Sequence, residues 1–102
     1  MSGFKADAFL GAVAGQGSNA DIDGTSEALT SSQVALSVSI KALDGNTDKV
    51  YVSIDGTAAT VLDYELGAGD STPWLPVPGN DLANINVIGG AANQAACWFW
   101  VG

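Results

Sequence analysis

The sequence predicts an all-β domain, a small β-sandwich or jelly roll with an extended N-terminal arm, and three observations predict it. Val34, Leu36, Val38 and Ile40 alternate with Ala35, Ser37, Ser39 and Lys41, the period-two pattern of a strand buried on one face. Val50, Val52 and Ile54 repeat that pattern against Tyr51 and Ser53. Clusters of Gly, Asn and Asp then cut the chain into segments of about five to eight residues, the rhythm of sandwiches and jelly rolls.

Residues 1–32 are rich in Gly, Ser and Ala and read as an N-terminal arm or edge elements; residues 33–102 read as the sandwich. In the first part Phe4, Phe9, Leu10 and Val13 are the bulky apolar positions before Ile22. The Phe9-to-Val13 spacing fits a helical face, but Gly11 and Gly15 each weaken a helix by ~1 kcal/mol, so a short strand or extended arm competes with it. Gly15-Gln16-Gly17-Ser18-Asn19 reads as a loop, Asp21 to Thr25 as a turn, and Glu27 to Thr30 as a short edge strand.

Residues 33–61 form a central ribbon around which the rest is built. Asp44-Gly45-Asn46-Thr47-Asp48 breaks it, with Gly and Asn suited to positive φ. Asp55-Gly56 is a two-residue hairpin signal, which sets Ile54 opposite Thr57, Val52 opposite Ala59 and Val50 opposite Val61.

Beyond the ribbon, Leu62, Tyr64 and Leu66 alternate with Asp63 and Glu65, a strand with one wet face. Pro73, Pro76 and Pro78 cannot donate to a central ladder, so their segment belongs on a sheet edge or crosses between sheets. Ile85, Val87 and Ile88 form a strand ended by Gly89-Gly90. In the last strand, Ala95 to Val101, Cys97, Phe99 and Val101 point one way and Ala96, Trp98 and Trp100 the other. Cys97, Phe99 and Val101 are read as the inward face. Because both faces are apolar, the strand is either covered on both sides or meets another chain through its tryptophans.

Size and charge narrow the function. At 102 residues the chain holds one core. Three lysines against 11 acidic residues leave a net charge of −8, with no Arg and no His. Lys5, Lys41 and Lys49 are well separated, which argues against nucleic acid and against an anionic membrane surface as partners. Without His, neither a Ser–His nor a Cys–His nucleophile pair can be assembled. One cysteine, Cys97, rules out an internal disulfide and a cysteine-rich zinc site, and it suits folding in a reducing cytoplasm. Ala8 to Gly15 mimics a signal-peptide core only weakly, since Asp7 adjoins it and no basic leader precedes it.

Ile40-Lys41-Ala42, Gly45-Asn46-Thr47, Val50-Tyr51-Val52, Leu66-x-Ala68-Gly69-x-Ser71 and Asp81-Leu82-x3-Asn86-Val87-Ile88-Gly89 follow one another before a final apolar strand. That order resembles the small β-sandwich modules of tailed-bacteriophage virion proteins, such as head decoration (cement) proteins and fibre-base modules. The resemblance covers roughly residues 33–102 and carries no catalytic motif. It implies a structural, non-enzymatic subunit on the capsid exterior, made in the host cytoplasm. Its partners would be the major capsid protein and copies of itself, a trimer being favoured. It implies no cofactor.

The candidate interface residues are Phe4, Phe9 and Leu10 in the arm and Trp98 and Trp100 on the last strand. Core filling is the ordinary role of tryptophan, but it is also over-represented at binding hot spots. A second reading, a carbohydrate- or receptor-binding module of a fibre or tail, makes Trp74 a stacking platform beside Asp81 and Asn84. Asp21-x-Asp23-Gly24-x2-Glu27 carries part of a calcium loop without its full spacing, and plain turns are the commoner use of Asp-Gly. Asp63 and Glu65 would share a strand face, where surface solubility is a commoner role than acid–base chemistry.

Overall fold

The computed structural model describes residues 13–102, which form eight strands in two four-stranded antiparallel sheets. One sheet is ordered β1 (Ala14–Ile22), β8 (Gln94–Val101), β3 (Ser37–Ala42) and β6 (Leu75–Pro76). The other is ordered β2 (Glu27–Ala28), β7 (Asn86–Gly89), β4 (Val50–Ser53) and β5 (Tyr64–Leu66). First pairs with last and so inward: β1 with β8, β2 with β7, β3 with β6, β4 with β5. The β3–β8 and β4–β7 ladders then complete the sheets. The all-β sandwich expected from period-two alternation is the fold.

Between the layers lies one apolar core. Val38, Ile40 and Ala42 from β3 meet Val50, Val52, Val87 and Leu66 from the opposite sheet, with Ile22, Leu29, Leu82 and Ile85 closing its ends. Ile22 and Leu29 are fully part of this core, so the stretch from β1 to residue 32 is no appendage: β1 and β2 are edge strands of the two sheets.

The ribbon of residues 33–61 divides between the sheets. β3 lies in one and β4 in the other, and Asp44 to Asp48 carries the chain across. Side chains make that crossing. The Asn46 carboxamide donates to Ala95 O at 2.8 Å and accepts from Ala95 N at 2.7 Å. Buried Gln94 accepts from Asp48 N at 2.9 Å and donates to Thr47 Oγ1 and Ala92 O. Every polar atom of that amide side chain is thereby matched, as burial requires.

Three local expectations are corrected. Val34 and Leu36 are exposed while Ala35 is buried, because this segment runs against the Val77–Asp81 turn: Ala35 N donates to Asn80 O, and Val77 N to Leu36 O. The core alternation starts only with Val38. Asp55-Gly56 does turn, with Gly56 at φ 83°, but it closes no two-residue hairpin. Val52 pairs with Tyr64 and Val50 with Leu66. The intervening chain is held elsewhere, Ala59 N donating to Ser26 Oγ and Asn86 Nδ2 to Thr57 O, which leaves Leu62 92% exposed. Finally, Gly15 to Asn19 is the middle of β1 rather than a loop. The proline segment forms the edge strand β6, as its missing donors require.

Candidate interaction surface

β8 sits between β1 and β3, and its register decides which of its two apolar faces is inside. Trp98 lies opposite Gly17 on one side and Ile40 on the other; Trp100 lies opposite Gly15 and Val38. Directly opposed residues share a sheet face, and Val38 and Ile40 are core residues. Trp98 is accordingly 4% exposed, and Trp100 is partly buried against the same core. This reverses the orientation read from the sequence. The indoles occupy the inward face, and Cys97, Phe99 and Val101 the outward one.

The reason is on β1. A Cβ at Gly17 would stand 2.6 Å from Trp98 Cζ2, and one at Gly15 would stand 2.5 Å from Trp100 Cζ2. The two glycines are the floor on which the rings lie. Trp98 is therefore a core residue and offers no interface, while Trp100 offers only its exposed part. Phe4, Phe9 and Leu10 lie outside the described residues.

What faces solvent instead is the row Cys97, Phe99, Val101. Phe99, 56% exposed, is flanked by Gln16 of β1 and Ser39 of β3; Val101, 40% exposed, by Ala14 and Ser37. Cys97 lies between Ser18 and Lys41. The serines are too small to cover the phenyl ring, and their hydroxyls turn to β6 and the segment leading into it, Ser39 Oγ donating to Thr72 O at 2.9 Å and Ser37 Oγ to Leu75 O at 3.2 Å. Trp74, just before β6, adds an indole 55% exposed.

The polar partners expected beside Trp74 are engaged within the fold. Asp81 caps the 3-10 turn Leu82–Asn84, accepting from Ala83 N at 3.0 Å, from Ser32 Oγ at 2.8 Å and from Gln33 N at 3.1 Å. Those donors hold its carboxyl below the usual range, the Ala83 amide first among them. Asn84 Nδ2 donates to Pro78 O at 2.9 Å.

Several other carboxylates serve local turns. Asp23 accepts from Thr25 N, and Asp63 from Thr60 N. Asp63 precedes β5 and Glu65 lies within it, ion-paired with Lys49 at 3.1 Å, so they form no acid pair on a strand face. Asp55 is lowered to about 2 by the Thr57 hydroxyl, then by the Ser53 hydroxyl and the Thr57 amide. Among the described residues no three His, Cys, Asp or Glu side chains gather closely enough to hold a metal ion.

No family model matches the chain, and no curated protein matches it either. The outward row was missed by periodicity, which assigns residues to two faces without ranking them. The signal that finds it is a pairing of motifs: Gly15-x-Gly17 is weak as a strand until large rings from a neighbour cover it, and Trp98-x-Trp100 has the matching spacing.

Proposed function

We propose that this protein is a non-enzymatic structural subunit of a tailed-phage particle, a decoration (cement) protein that binds the major capsid protein on the head exterior and associates with copies of itself. The observation that carries this reading is the row Phe99–Val101 on the outward face of the β1–β8–β3–β6 sheet, apolar surface that no other described residue covers fully. Two further features support it. The first-with-last strand pairing supports a jelly-roll reading of the sandwich, an architecture shared by viral capsid and lectin domains, though fold alone does not assign function. The net charge of −8 keeps free copies apart and disfavours contact with packaged DNA.

The mechanism is burial. Phe99 and Val101 would seat against the capsid lattice, with Trp74 at the rim, and aromatic side chains dominate such contacts. The test is co-sedimentation with decoration-free phage heads. The wild-type chain is expected in the head fraction, and Phe99→Asp in the supernatant with an unchanged circular dichroism spectrum. A wild-type chain that stays in the supernatant while a glycan quenches its tryptophan fluorescence would replace this reading with carbohydrate binding.

A further inference from the structure

The edges of the two sheets are unequal. β2 has two residues, β5 three, and β6 two with Pro76 among them. β1 has nine residues, contains no Pro or Lys, and carries no charge before Asp21. Among the described residues no strand pairs with its outer side. Such blunting of an edge is thus present along three edges, whereas on the fourth the register shift between Asn19 and Ile22 and the charge of Asp21 fall at one end and leave Ala14 to Asn19 regular and uncharged.

The ladder shows which groups that edge offers. Gly102 N donates to Val13 O at 2.7 Å, so Val13 turns its main chain toward β8. Alternation in an antiparallel pair gives Gly15 and Gly17, opposite Trp100 and Trp98, the same orientation. Ala14, Gln16 and Ser18 therefore direct their N–H and C=O groups away from the sheet.

We propose that a second copy of this chain adds to β1 antiparallel about a two-fold axis at Gly17, Gln16 facing Ser18 of the other copy, so that two four-stranded sheets become one of eight. A second copy is the occupant that fits for two reasons. Rotation about Gly17 sets outward-directed Gln16 against outward-directed Ser18 on both sides of the axis, a self-complementary ladder. In a chain of net charge −8, copies should repel, yet this edge is uncharged and the rotation sets Asp21 across from Val13 instead of from its own twin. The inference rests on the self-association in the proposed function, and it gives that association a place. Pairing sets the Phe99 rows of both copies on one continuous face. The two-fold symmetry replaces the trimer that the resemblance favours.

Mass in solution, measured by sedimentation without phage heads, tests the pairing apart from capsid binding. The wild-type chain is expected at twice the 10.3 kDa of one copy. Ser18→Lys places like charges near the axis and Gln16→Pro removes an outward N–H that β8 does not use; each is expected to halve the mass. Far-ultraviolet dichroism checks that each variant folds, and Ser18→Lys alone suffices if Gln16→Pro does not. A wild-type monomer at every concentration, a trimer, or a dimer that survives Ser18→Lys overturns the proposal. None of these results bears on capsid binding, which co-sedimentation reads.

Discussion

The indole of Trp98 lies directly over Gly17, so close that a Cβ there would stand 2.6 Å from Cζ2. That contact joins the two ends of the described chain and turns the whole of β8 so that its tryptophans face the core.

Gly17→Ala is expected to destabilise the protein by about 1–3 kcal/mol, the usual penalty for overpacking a full site. Trp98 is buried and has nowhere to go. Gly15→Ala should be milder, because the partly exposed Trp100 can swing outward. Urea midpoints of the two variants check the order, and a Gly15→Ala loss equal to or larger than that of Gly17→Ala would contradict the geometry.

Trp98→Ala and Phe99→Ala should part company although the residues are neighbours. Loss of the core indole is expected to remove about 3–5 kcal/mol. Removal of the outward phenyl should change stability by no more than about 0.5 kcal/mol, and the proposed function requires that it also weaken retention on phage heads. Chemical denaturation and co-sedimentation of the same two preparations read both effects.

Gln94→Leu keeps the bulk of a buried side chain and strips Asp48 N of its acceptor at the crossing between sheets. Leaving a part-buried donor unmatched should lower stability by about 1–3 kcal/mol. Faster amide exchange at Asp48 and Thr47, at unchanged exchange in β4 and β7, would locate the loss at the crossing.

Asp55 should titrate at about 2, against 3.8 for an ordinary Asp, when followed by carboxyl carbon resonances. Its folded value is depressed, so the ionised form favours the fold. That contribution is complete above 3.8 and disappears as pH falls through about 2. Asp81 is lowered in the same direction and adds to the same acid limb. Thr57→Ala removes the largest cause and should move the Asp55 midpoint upward; an unmoved midpoint would show that the hydroxyl contributes nothing.

Local pattern was enough for much of the architecture. Val38 and Ile40, Val50 and Val52, and Ile85 and Val87 announce half-buried strands by alternation alone, and the prolines before Val77 announce an edge. Asp55-Gly56 announces a turn correctly, because positive φ at Gly56 is a local preference. What it could not announce was the partner: Ala59 is held by Ser26, a contact between residues far apart in the chain.

The candidate surface was less legible still. By itself the sequence determined that β8 has two apolar faces and that Trp98 shares one with Trp100, since side chains on a strand alternate with period two. Only the tertiary structure decided which face is inside. That choice depends on the strand that lies alongside, and β1 comes from the opposite end of the described chain, where Gly15 and Gly17 resemble a loop until rings are laid on them. Alternation is a property of one strand, whereas burial is a property of its neighbours.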